Sequence, residues 1–241
     1  MKINKMLQNL TLALAMVLGL GLFSTAKADA IVDLGITLAD LLPGEHHTVD
    51  SVIVGDKRFY GFANFNVTNF GDPHPPKATD IAVDGLINGD EIGLLFTSTL
   101  FNVANGSKMD IRFEFWVETV SGAPLIKDVV LDAHAVDTDG GADLDIYETV
   151  RDEFNNTVAT LHVSERDTVD IVDPLAGGPY RRLHIFKDIA LNSYERGDFA
   201  GLSDFGQGFS QIPQTPEPAS LILLGSGLAL LGAASRRRKA N

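Results

Sequence analysis

The densest set of hard oxygen donors in the chain is Asp137-Thr138-Asp139-Gly140-Gly141-Ala142-Asp143-Leu144-Asp145, with Glu148 following. Carboxylates at alternating positions around glycines suit Ca²⁺, which takes roughly six to eight oxygens and needs a loop that curls to present them. Counted from Asp137, the acids fall at positions 1, 3, 7, 9 and 12, close to the spacing of an EF-hand loop. The match is incomplete, because Gly141 stands at the fifth position, Ala142 takes the place of the turn glycine, and no helical pattern flanks the stretch. Two readings stay open: a calcium loop built from Asp137, Asp139, Asp143, Asp145 and Glu148, or an acidic, solvated β-turn. Calcium is the only cofactor that the chain suggests.

Other chemistry is thinly represented. Glu114, Glu118, Asp128 and Asp132 supply carboxylates, but their places in alternating strand patterns explain them without a reaction. His46, His47, His74, His134, His162 and His184 include no His-Glu-x-x-His spacing, and the chain has neither a Gly-x-Ser-x-Gly elbow nor a phosphate-cradling glycine loop. The expectation is a non-catalytic protein, with a calcium-dependent carbohydrate-binding module as the alternative and a polysaccharide-processing enzyme after it. Trp116, Tyr60 and Phe62 would stack on sugar rings if exposed, although aromatic residues in strands usually belong to a core.

The second group of residues with a chemical consequence is at the C-terminus. Pro216-Glu217-Pro218 is followed by an uncharged run from Ala219 to Ser235 and then by Arg236-Arg237-Arg238-Lys239. As a helix the run, about 17 residues, sits at the lower limit for a membrane span. The basic cluster behind it stays cytoplasmic under the positive-inside rule, which places the bulk of the chain outside. At the other end Lys2 and Lys5 precede the apolar stretch Met6 to Phe23, and Ala26-Lys27-Ala28 offers small residues at the two positions that a signal peptidase reads. Cleavage after Ala28 is expected.

The C-terminal order of Pro-Glu-Pro, short Leu/Gly/Ala-rich helix and arginine cluster resembles the PEP-CTERM sorting signal. The resemblance implies export through the inner membrane of a Gram-negative bacterium and a transient membrane anchor. Exosortase, a membrane-embedded cysteine protease-transpeptidase, would then cut near Pro216, Glu217 and Pro218. It also implies a cell-surface or extracellular protein associated with exopolysaccharide and biofilm. Val54-Gly55-Asp56-Lys57-Arg58-Phe59, Lys187-Asp188-Ile189-Ala190-Leu191 and Gln207-Gly208-Phe209-Ser210-Gln211 are similar to segments common in the ectodomains of such proteins.

Between the two processing segments the chain must build whatever positions these residues. The net charge is −13 for the whole sequence, and removing the charges of leader and tail leaves about −19. So acidic a surface repels nucleic acid, which is excluded as a partner, and suits cations or a neutral partner such as a glycan. The chain has no cysteine, so an exported domain must hold together without disulfides.

Alternation dominates. Ile111, Phe113, Phe115 and Val117 point one way while Arg112, Glu114, Trp116 and Glu118 point the other. Further strands are predicted at 49–54, 59–68, around 92–96, and at 125–133, 146–150, 157–164 and 183–191. In the last of these Leu183, Ile185, Ile189 and Leu191 share an apolar face that Lys187 interrupts. Gly, Pro, Asn and Asp clusters separate the strands and no amphipathic helix stands out. The expected fold is all-β, an antiparallel, jelly-roll-like β-sandwich ectodomain with a C-terminal single transmembrane helix. The expected division is a signal peptide at 1–28, the sandwich at 29–206, a Gly/Gln/Ser/Pro-rich linker at 207–215 and the sorting segment at 216–241.

Overall fold

The computed structural model of the chain describes residues 30–211, apart from 45, 72 and 73. The signal peptide, the Pro-Glu-Pro triplet, the apolar run and the basic end lie outside the described residues. Within them the strands are, in order, β1 (Ala30–Thr37), β2 (Ser51–Val54), β3 (Lys57–Phe70), β4 (Ala82–Asn88), β5 (Glu91–Thr97), β6 (Asn102–Ala104), β7 (Lys108–Thr119), β8 (Ile126–His134), β9 (Asp137–Asp139), β10 (Asp143–Arg151), β11 (Thr157–Ser164), β12 (Val169–Val172), β13 (Arg182–Asn192), β14 (Phe199–Gly201) and β15 (Asp204–Gln211). One helical turn, α1 (Leu38–Leu41), follows β1.

Two six-stranded sheets carry the fold. Sheet A runs β1-β4-β5-β15-β8-β12 and sheet B runs β11-β10-β13-β7-β3-β2, while β6, β14 and β9 make a small third sheet. The named strand pairs are all antiparallel. The alternation read in the sequence sets the layers: Met109, Ile111, Phe113, Phe115 and Val117 of β7 are buried, as are Leu183, Ile185, Ile189 and Leu191 of β13. Facing them from sheet A are Leu94, Phe96, Leu131, Phe205 and Phe209. Rings from both sheets interlock, with Phe96 of sheet A tilted against Phe113 of sheet B at 5.1 Å between centroids and Phe59 of sheet B tilted against Phe209 of sheet A at 6.0 Å. Such offset and tilted ring pairs add to what burial of their area contributes.

One expectation is corrected here. Gln207 to Gln211, expected as the start of a flexible linker, form most of β15, an interior strand paired with β5 on one side and β8 on the other. Glycine-rich composition reads as a stalk when judged alone. In the sheet the glycines answer to crowding: a Cβ on Gly93 would lie 1.8 Å from the Gln207 carbonyl oxygen, and one on Gly208 would collide with the Glu91 side chain. Phe209 and Gln207 meanwhile point into the core with no exposed surface.

Candidate functional site

The acidic stretch is the first place to look for the expected metal ligands. Asp137 and Asp139 bound β9, where Asp139 Oδ1 accepts a hydrogen bond from the Gly140 N–H at 2.8 Å. Asp143 accepts from Asn192 Nδ2 and from the Tyr194 hydroxyl, both at 2.7 Å. Asp145 lies 2.6 Å from His162 Nε2 on the neighbouring strand. Glu148 is turned the other way, into the core, where it pairs with Lys187. Asp139, Asp143, Asp145 and Glu148 therefore have separate partners, and Glu148 points to the opposite face of β10 from Asp143 and Asp145. Among the described residues no group of three or more His, Asp or Glu is placed to hold a metal ion. The two glycines have another explanation: Gly140 and Gly141 wrap the carboxylate of Asp198, and a Cβ on Gly140 would sit 2.1 Å from Asp198 Oδ1. Backbone N–H groups of Gly141, Glu195 and Tyr194 hold that carboxyl below the ordinary range.

The outer face of sheet B gathers the residues that can recognise a ligand. Antiparallel register lines up Tyr60, Trp116, His184 and Arg151 in one row from β3 to β10. Two rows further on come Asn66, Arg112, Asp188, Tyr147 and His162. Between them lie Ala63, Glu114, Phe186 and Thr149. The rings are layered: Trp116 stacks on His184 at 4.3 Å and Tyr147 on His162 at 4.4 Å, with His184 tilted against Phe186 at 4.2 Å. Arginines cover ring faces, Arg58 over Tyr60 at 4.9 Å and Arg151 over Phe186 at 4.5 Å. Phe62, grouped with Tyr60 and Trp116 in the sequence reading, is instead buried against Phe115.

The reason for that reversal is in β3. Register shifts occur between Tyr60 and Ala63 and again between Ala63 and Asn66, and Gly61 and Asn64 take positive φ values of 63° and 57°. Each bulge inserts one extra residue, so strict alternation fails and the strand bends away from its partner. Gly61 is required by its conformation and its contact, because a Cβ there would stand 3.1 Å from Trp116 Cδ1. The bend opens a depression of about 420 Å³ whose lining includes Asn64, Asn66, Arg112, Glu114, Tyr147, Phe186 and Asp188.

The carboxylates of this face are engaged. Arg112 contacts Asp110 at 2.9 Å and Asp188 at 3.1 Å, while Arg58 and Arg182 both reach Glu118. Glu114 accepts from Asn64 Nδ2 at 2.7 Å. Burial pushes the Asp188 carboxyl up, helped by Asp110 and opposed by Arg112. Burial likewise holds His184 below its ordinary value, against the pull of Glu114 and with the help of Arg151. Arg58 Nε, Asp110 Oδ1, Arg151 Nε and His184 Nε2 are buried on this face without a hydrogen-bond partner. Such groups gain most from a polar ligand.

A second depression, about 580 Å³, lies on the outer face of sheet A and is lined by Ile31, Leu86 and Leu95 together with Asp132, His134 and Asp204. His134 sits between two carboxylates, Nδ1 at 2.7 Å from Asp204 and Nε2 at 2.9 Å from Asp132. Of the carboxylates noted in the sequence, Asp132 is thus brought beside Asp204, whereas Asp128 binds Ser210 at the far end of β8.

Among solved structures the chain is similar to TmCBM61, determined with beta-1,4-galactotriose, at 14% identity over 59% of this chain and 86% of that one, with a TM-score of 0.27. It is also similar to a carbohydrate-binding module from the beta-sandwich super family (10% identity, 66% of this chain, 57% of that one, TM-score 0.22). A third is a DUF4465 family protein from Bacteroides caccae (9% identity, 77% of this chain, 100% of that one, TM-score 0.23). Likeness at these scores carries no argument about ligand. No curated protein matches the sequence. At the C-terminus the match is specific, and residues 214–239 are a PEP-CTERM protein-sorting motif, the mark of an exported surface protein processed by exosortase.

Proposed function

We propose that the processed domain is a non-catalytic surface or matrix protein that binds a neutral polysaccharide, an exopolysaccharide of its own biofilm, on the outer face of sheet B. The observation that carries this reading is the pairing of ring faces with planar hydrogen-bonding groups in one depression: Tyr147 and Phe186 beside Asn64, Asn66, Arg112 and Asp188. A pyranose presents an apolar C–H face and a rim of hydroxyls, and such a mixed surface meets both. The strongly acidic chain favours a neutral glycan over a polyanion. Engagement of Glu118, Asp110 and Asp188 by arginines supports binding rather than bond cleavage, since a general acid must be free to give up its proton.

The test is isothermal titration calorimetry of the domain against neutral, acidic and basic oligosaccharides chosen from a glycan array. Tyr147 is half exposed, so Tyr147→Ala removes a stacking face without opening the core. It is expected to weaken binding about tenfold or more, a loss of ~1–2 kcal/mol typical of a stacked ring. Asp132→Asn on sheet A is expected to leave affinity unchanged. Binding lost in the Asp132 variant and kept in the Tyr147 variant would move the site to the other sheet.

A further inference from the structure

At the centre of the sandwich three polar side chains with no exposed surface meet: Lys187 from β13, Glu148 from β10 and Gln207 from β15. Lys187 and Glu148 are directly opposite in register within sheet B, and Gln207 reaches them from sheet A. The Lys187 ammonium nitrogen, Nζ, bonds to Glu148 Oε2 and to Gln207 Oε1. Gln207 Nε2 donates to the Val130 carbonyl at 3.1 Å, which turns the amide so that its carbonyl faces the amine. Glu148 Oε1 is buried without a hydrogen-bond partner. The Phe205 ring closes one side, 5.7 Å from Nζ.

We propose that this cluster is a self-modification site, in which Lys187 and Gln207 become joined by an isopeptide bond that staples sheet B to sheet A. The Lys187 amine adds to Gln207 Cδ, forming the new N–C bond, and the Cδ–Nε2 bond breaks. The proton lost from Nζ passes to Glu148, and Glu148 returns a proton to the departing nitrogen, which leaves as ammonia. An amine and a primary amide thus become a secondary amide and ammonia, with no redox partner. Burial favours the reactive forms: it lowers the Lys187 pKa and raises that of Glu148, with their mutual attraction opposing both shifts. A neutral lysine is the nucleophile that such a reaction needs, and a carboxyl with one uncommitted oxygen can relay the proton. The product removes a charge pair that is costly to keep in an apolar interior. It also gives a cysteine-free exported domain a covalent link between its layers.

The experiment is tandem mass spectrometry of proteolytic peptides from the wild-type protein purified after export. The expected result is one linked species joining the peptides of Lys187 and Gln207, lighter than their sum by about 17 Da, the mass of ammonia. Fragment ions must place the link, because Asn88-Gly89 and Asn105-Gly106 can also lose ammonia by cyclising. Lys187→Met is expected to give two unlinked peptides. Glu148→Gln keeps both reacting groups and is expected to be folded by circular dichroism yet unlinked. Unlinked wild-type peptides at full mass would overturn the proposal. So would a loss of about 18 Da in a species joining Lys187 to Glu148, which makes the glutamate the acceptor. A linked, folded Glu148→Gln variant would remove Glu148 from the proton relay.

Discussion

Gln211 Nε2 lies 2.6 Å from both carboxylate oxygens of Asp56, across 155 residues of chain. Asp56 also holds the ammonium of Lys57, which is fully buried, at 2.7 Å. The contact fastens the last described strand to the turn between β2 and β3. Like the contact of Lys187 with Gln207, it joins sheet B to strand β15 of sheet A through polar side chains.

That clamp is asymmetric in its energetics. Gln211→Ala leaves Asp56 with its lysine and is expected to cost about 1 kcal/mol, one hydrogen bond. Asp56→Ala strands a buried ammonium and is expected to cost about 3–5 kcal/mol. Urea unfolding of both variants is the measurement. Equal losses would mean that the lysine does not depend on Asp56.

The bulge at Gly61 positions Trp116, the only tryptophan in the chain. Gly61→Ala forces a side chain into a left-handed backbone conformation and against the indole. A destabilisation of about 1–2 kcal/mol is expected, with a red shift of the tryptophan emission as the ring is pushed outward. If stability and emission both stay at wild-type values, the bulge does not set the ring's position.

His184 makes the same face sensitive to acid. Burial depresses its folded-state pKa, so the unfolded chain takes up the proton more readily. The stability it contributes is present above the ordinary histidine value and is lost as pH falls through that value and on through the depressed one. Thermal stability is expected to decline as pH falls below the ordinary histidine value of 6.5, and His184→Gln should flatten that decline. A variant with the wild-type slope would assign the loss to other groups.

The sorting motif predicts a separable defect. Two prolines flanking Glu217 favour extended backbone, a form that a protease can engage. Replacing Pro216, Glu217 and Pro218 with alanines should preserve export and membrane insertion while the unprocessed chain accumulates in the inner membrane. Apparent mass and membrane fractionation in a host with exosortase report the outcome. Processing at the wild-type rate and position would make the triplet incidental.

The sequence alone was enough for whatever is written locally. Alternation of period two in β7 and β13 named the core face of each and showed Lys187 as a charged interruption of an apolar face, although not the partners it meets there. The sorting motif was equally legible, because its three parts are contiguous and act through length, hydropathy and charge. Tertiary structure decided the rest. The Gly-Gln-Gly-Phe run has no local strand signal, yet it forms an interior strand, with Gln207 and Phe209 buried in the core and Gly208 where the Glu91 side chain leaves no room for a Cβ. The first bulge in β3 turned Phe62 into the core and left Tyr60 beside Trp116 on the outer face of sheet B, a change that register with β7 alone reveals. Glu148, a calcium ligand by spacing, points inward because β10 is a strand and successive side chains alternate between faces. Its partner Lys187 lies 39 residues away in sequence but directly opposite in the sheet, and such pairings are set by packing rather than by spacing along the chain.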